Sequence, residues 1–129
     1  MHPVLKIIQQ AKDEQWPFPQ TLSRLRDAGV LYYRVTWEDD YKAVFQLTDD
    51  TRIEENHPEF NTEVASHYSE QAAKIALHEH QQGKTTYPEW LNDMAKAGVC
   101  AYRVDANERT VTYFGINSEN YFVEEVPGE

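Results

Sequence analysis

At 129 residues with one cysteine, the chain is long enough to bury a core and has no means of forming an internal disulfide framework. Hydrophobic residues make up 40% and aromatics 12%, which excludes a disordered chain. The formal net charge of −10 repels phosphate backbones, and no apolar run approaches the roughly 20 residues of a membrane span.

Val4, Ile7, Ile8 and Ala11 fall at helical spacing and predict a first helix. Phe18-Pro19 opens a second, with proline in the first turn, where its missing N–H costs little. Leu22, Leu25 and Ala28 form its buried stripe, and Gly29 is placed to end it in the left-handed conformation. Strands are expected at 30–37, 41–47 and 51–55, with Glu38-Asp39-Asp40 as a hairpin turn. A longer helix is expected from about Thr62 to Gln82, capped by Asn61 or Thr62. Tyr87-Pro88 then opens another helix, with Leu91, Met94 and Ala97 as its stripe and Gly98 after it. Strands at 99–106, 110–116 and 120–124 complete the chain, with Asn107-Glu108 as a turn.

The order ααβββ–ααβββ reads as a tandem duplication. Sliding the chain by 69 residues (88 − 19) pairs Pro19 and Leu22 with Pro88 and Leu91. The same shift pairs Ala28-Gly29-Val30 with Ala97-Gly98-Val99, and Tyr33-Arg34-Val35 with Tyr102-Arg103-Val104. Phe45 with Phe114, Glu55 with Glu124 and Pro58 with Pro127 carry the match onward without a gap. The expected fold is α+β, a single domain over 1–129 built from two repeats (1–60 and 70–129) joined through a helix at about 62–82. Helices pack on one side of antiparallel sheet about a pseudo-two-fold axis. Edge-to-edge merging and stacking of the two sheets both remain open.

The phrases FPQTLSRLRDAGVLYYRV, YPEWLNDMAKAGVCAYRV and RTVTYFGINSENYFVEEVP are similar to the YbcV-like family of small bacterial proteins, sometimes labelled phage envelope protein. The resemblance covers the whole chain. It implies a bacterial or prophage origin and a cytoplasmic location, and it brings no catalytic residue with it.

The repeated Tyr-Arg strand is the foremost functional candidate. Strand alternation turns Tyr33, Val35, Tyr102 and Val104 towards the core and sets Tyr32, Arg34 and Arg103 on the opposite sheet face. Two arginines related by a two-fold axis suit an anionic ligand, because guanidinium holds carboxylate or phosphate bidentately. The plainer expectation is that each pairs with an acidic neighbour on the next strand. Trp37 joins Arg34, Arg103 and Tyr32 as a ligand-binding candidate, since Trp37 and Tyr41 flank the acidic hairpin. Trp16, Trp90, Tyr113 and Tyr121 are further aromatics that an exposed surface for a protein partner or a homodimer would use.

Other chemistry finds little support. Cys100 aligns with Leu31 and is expected to face inward as a small hydrophobe. His67, His78 and His80 lack the spacing of a metal-protease helix, so no metal is assigned, and His80 is expected to end its helix near the core. No phosphate loop or nucleophile elbow is present, so no cofactor or catalytic residue is assigned. The expected function is a non-catalytic protein-interaction or small anionic-ligand-binding module, with no nucleic acid and no membrane as partners. Two alternatives stand beside it. One is a small enzyme in which arginine binds an anionic substrate and a histidine or carboxylate acts as acid–base. The other is an acidic inhibitor or nucleic-acid mimic.

Overall fold

The computed structural model describes residues 2–37, 40–57, 60, 62–116 and 121–128, in four helices and six strands. Helix α1 (Pro3–Glu14) starts behind His2, whose Nδ1 accepts from the Val4 N–H at 3.1 Å. Helix α2 (Phe18–Asp27) ends at Ala28, and Gly29 turns the chain at φ +99° into β1 (Val30–Thr36). Strands β2 (Lys42–Leu47) and β3 (Arg52–Asn56) follow. Helix α3 (Glu70–Gln81) and helix α4 (Tyr87–Lys96) open the second half. Thr86 and Glu89 close a capping box on α4, each side chain accepting from the other's backbone N–H. The chain ends in β4 (Val99–Asp105), β5 (Thr110–Gly115) and β6 (Tyr121–Glu125).

All six strands form one antiparallel sheet in the order β3-β2-β1-β4-β5-β6. The two halves therefore merge edge to edge at a β1–β4 seam rather than stacking. Burial alternates along the strands, except at the register irregularities near the start of β1 and β4. Tyr33, Val35, Phe45, Tyr102, Val104, Val111 and Tyr113 face the helices and join Leu22, Leu25, Leu91 and Met94 in the core. Among the described residues, no helix packs on the opposite sheet face.

The linking helix is shorter than its pattern predicts. It begins at Ser69, whose hydroxyl accepts from the Ala72 N–H at 3.2 Å. Residues 62–68 instead run as a strap beside α4. The Ala65 N–H donates to the Ala95 carbonyl at 2.8 Å and the Ser69 N–H to that of Ala97 at 2.7 Å. Those carbonyls belong to the end of α4, where intrahelical donors run out. Backbone N–H groups spent on another helix's end are lost to a helix of their own, so His67 lies outside α3.

The gap-free repeat match also fails in one strand. Tyr33 pairs with Phe45, whereas Tyr102 pairs with Tyr113, so Phe45 corresponds to Tyr113 and not to Phe114. Five residues connect β1 to β2 and four connect β4 to β5 (37–41 against 106–109), a one-residue difference that the next connection reverses. A slip of one residue turns a strand's side chains over. Phe45 is accordingly buried, while Phe114 stands half-buried on the uncovered face.

Trp37, Trp90, Tyr102, Tyr113, Tyr41 and Tyr87 form an aromatic layer between sheet and helices, with neighbouring ring centroids 5.7 to 6.5 Å apart. Through it runs a hydroxyl chain, Tyr41 to Tyr87 at 2.8 Å and Tyr87 to Tyr102 at 2.9 Å. Burial pushes the Tyr41 phenol up to about 12 and those of Tyr87 and Tyr102 well above their ordinary value, so the chain is neutral. No helix among the described residues is long and apolar enough to cross a membrane.

Candidate functional site

The uncovered sheet face is a grid set by the strand register. Its middle row runs Glu54, Val44, Arg34, Arg103, Thr112, Val123. On one side lies the row containing Gln46, Tyr32, Asp105 and Thr110; on the other, Lys42, Thr36, Ala101, Phe114 and Tyr121. Arg34 stands directly opposite Arg103 across the seam, and both are exposed.

Two cations facing each other on one sheet surface repel. At about 4 Å in water that repulsion is on the order of 1 kcal/mol. The pair relieves it by leaning apart. The Arg34 guanidinium lies over the Phe114 ring, 4.8 Å from its centroid, and that of Arg103 lies over Tyr32 at 4.4 Å. Such contacts at exposed sites contribute about 0.5–1 kcal/mol each, enough to offset the repulsion.

Among the described residues neither Arg34 nor Arg103 forms an ion pair. Glu54, two strands from Arg34, pairs with Lys42 at 3.1 Å. Asp105, next to Tyr32, accepts from the Asn107 and Glu108 N–H groups at 3.1 and 2.9 Å and closes the β4–β5 turn. A chain of net charge −10 thus keeps two arginines side by side with no carboxylate from the described residues on either.

Of the four residues expected to bind ligand, the fold brings Arg34, Arg103 and Tyr32 together. Trp37 is not with them. It is 0% exposed on the helix side, packed on Trp90 and Tyr102. Tyr41 is buried there too, so the aromatics beside the acidic hairpin are core; Glu38 and Asp39 lie outside the described residues. Trp90 and Tyr113 are also buried, Trp16 is half-buried under the Arg24 guanidinium, and Tyr121 is 57% exposed. Sequence reasoning did not single out Phe114; the repeat match only paired it with Phe45. Alternation within its own strand was the better guide: with Val111 and Tyr113 inward, Thr112 and Phe114 point out.

Cys100 departs from its expected inward position. It sits half-buried at a register irregularity between Val99 and Ala101, with Sγ 3.4 Å from the Gly115 carbonyl. The histidines do not converge. His67 is in the strap, His78 Nε2 meets the Gln82 amide at 2.9 Å, and His80 stacks on Trp90 with Nδ1 3.1 Å from the Thr85 carbonyl. Burial lowers the His80 pKa. The α3 histidines and the two seam arginines lie on opposite sides of the sheet, so no pocket among the described residues holds both.

Glu124 is the one half-buried carboxylate with a raised pKa among the described residues. Burial is the cause, opposed by hydrogen bonds from the Gln81 amide and the Tyr113 hydroxyl. The folded chain therefore holds this proton more tightly than the unfolded one. The resulting stability is full below the ordinary value of 4.5 and is lost as pH rises through the folded value. Glu124→Gln is neutral at every pH, so urea unfolding between pH 4 and 7 is expected to show its stability gaining on the parent as pH rises. A gap that stays constant with pH would contradict the assignment.

Similar proteins give the family without an activity. The "Uncharacterized protein Rv2012" of Mycobacterium tuberculosis and the "Uncharacterized protein Mb2035" of Mycobacterium bovis are each 29% identical over 106 residues. The match covers 81% of this chain and 63% of each relative, so the chain spans less than two thirds of the curated relatives it matches. A family model described as "Protein of unknown function (DUF1398)" matches residues 6–125, and the chain belongs to that family.

Proposed function

We propose that this chain is a non-catalytic binding module that takes an anionic ligand on the uncovered sheet face, through Arg34 and Arg103 with Tyr32 and Phe114 beside them. The observation that carries this is the arginine pair at the β1–β4 seam, which forms no ion pair among the described residues. Both guanidinium forks are laid on rings, which restricts their motion and lowers the entropy lost on binding. A duplicated unit accounts for the pair. The mirrored strand order, the register irregularities at Val30/Tyr32 and Val99/Ala101, and Arg34 opposite Arg103 all support a tandem duplication within one domain. The mycobacterial relatives support a bacterial setting, while the prophage origin rests on the YbcV-like resemblance and the cytoplasmic location on the lone cysteine.

A panel of mono-, di- and tricarboxylates and phosphate, screened by thermal melting at low ionic strength, tests the proposal. At 100 times its Kd a ligand that binds only the folded chain adds about 2.7 kcal/mol of stability. At least one anion is expected to raise Tm in this way, and the double variant R34Q/R103Q to lose the effect while melting normally without ligand. An unchanged shift in the double variant sinks the proposal.

A further inference from the structure

The geometry points to a linear dicarboxylate as the ligand, with one terminal carboxylate at Arg34 and the other at Arg103; this rests on the reading of the seam as an anion site. Arg34 leaves β1 and reaches Phe114 on β5, in the row of Thr36 and Ala101. Arg103 leaves β4 and reaches back to Tyr32 on β1, in the row of Asp105. The two guanidiniums thus cross the seam in opposite directions. With about 3.3 Å per residue along a strand and about 4.8 Å between strands, they stand on the order of 10 Å apart. One carboxylate or phosphate cannot bridge that gap, so a ligand engaging both must be elongated and charged at both ends.

The charge at each end selects the head group. Each site offers one guanidinium, which one carboxylate neutralises and matches as a planar fork. A phosphate dianion would be left half-neutralised on a chain of net charge −10. A cation–π contact uses the charge and no N–H donor, and no hydrogen bond from either guanidinium is present among the described residues, so the contact positions each fork without consuming it. The ground between the ends is apolar. It is formed by the methylene stems of the two arginines, which start opposite each other at the seam and run out towards Phe114 and Tyr32. A methylene linker crosses it without stranding a polar group. A second copy of the chain docked face to face is a poorer occupant, because it would bring four guanidiniums together.

Calorimetric titration of the full chain with α,ω-dicarboxylates from succinate to dodecanedioate, at low ionic strength, tests this. Affinity is expected to peak in the middle of the series, near suberate to sebacate, at about fivefold or more above succinate. The peak is expected to vanish in R34Q and in R103Q alike, and to survive in R52Q on the same face. A steady rise with length reports apolar partition and overturns the inference, as does a peak that survives either seam variant. Citrate or phosphate binding through the arginines with no length preference overturns the dicarboxylate and leaves the anion site standing. Silence towards every anion removes both, and a ligand-free dimer that buries the face overturns the dicarboxylate reading as well.

Discussion

Gly98→Ala is expected to destabilise the fold by about 3 kcal/mol or more, well beyond the same change at Gly29 or Gly83. All three glycines have left-handed φ, at +84°, +99° and +77°, where an added Cβ costs about 1–2 kcal/mol. Their surroundings differ. At Gly83 a Cβ meets nothing within 4 Å, and at Gly29 it meets the movable Thr48 hydroxyl at 3.3 Å. At Gly98 it would fall 2.6 Å from the Tyr68 Cα and almost on the His67 carbonyl oxygen, both backbone atoms of the strap. Moving the strap breaks the Ala65–Ala95 and Ser69–Ala97 hydrogen bonds, each contributing about 0.5–1.5 kcal/mol. Urea unfolding of the three variants settles it, and a Gly98→Ala loss no larger than that of Gly29→Ala would contradict the strap's close approach.

The second large effect concerns Trp37. Wholly buried between Trp90 and Tyr102, it is expected to cost about 3–5 kcal/mol when cut to alanine. Its indole Nε1 is buried with no hydrogen-bond partner among the described residues. Trp37→Phe therefore loses volume and no hydrogen bond, and the expected cost falls to about 1–2 kcal/mol. Denaturant midpoints of both variants check the ordering. A Trp37→Ala chain as stable as the parent would place the indole outside the core and return it to the candidates for ligand contact.

The elements that the sequence makes legible are those governed by local chemistry. Proline in the first turn, Gly29 and Gly98 after the last, and the Leu22/Leu25 and Leu91/Met94 stripes locate α2 and α4 to within a residue or so. Alternation places Tyr33, Val35, Tyr102 and Val104 inside and Arg34 and Arg103 outside. What stayed illegible depends on long-range partners. Thr62 to Tyr68 read as the start of a helix, but the Ala65 N–H, and that of Ser69 just after them, are claimed by the end of α4. Phe45 and Phe114 match by letter, yet one extra residue in the first hairpin turns them to opposite faces. Trp37 reads as a hairpin aromatic because nothing local announces that Trp90 and Tyr102 cover it. The pairing of Arg34 with Arg103 needed the β1–β4 seam, a contact between segments 69 residues apart (103 − 34).

The central claim is that the arginine pair on the uncovered face receives an anion. The most direct measurement is an NMR titration that follows the side-chain Nε–Hε signals of all six arginines as carboxylate is added. The account predicts that the Arg34 and Arg103 signals move together and saturate, while those of Arg24, Arg26 and Arg52 drift only with ionic strength. Arg109 should stay still, because its guanidinium already donates to the Ser23 hydroxyl and to the Pro19 and Pro127 carbonyls. Seam arginines that respond no more than Arg24 or Arg26 would contradict the account.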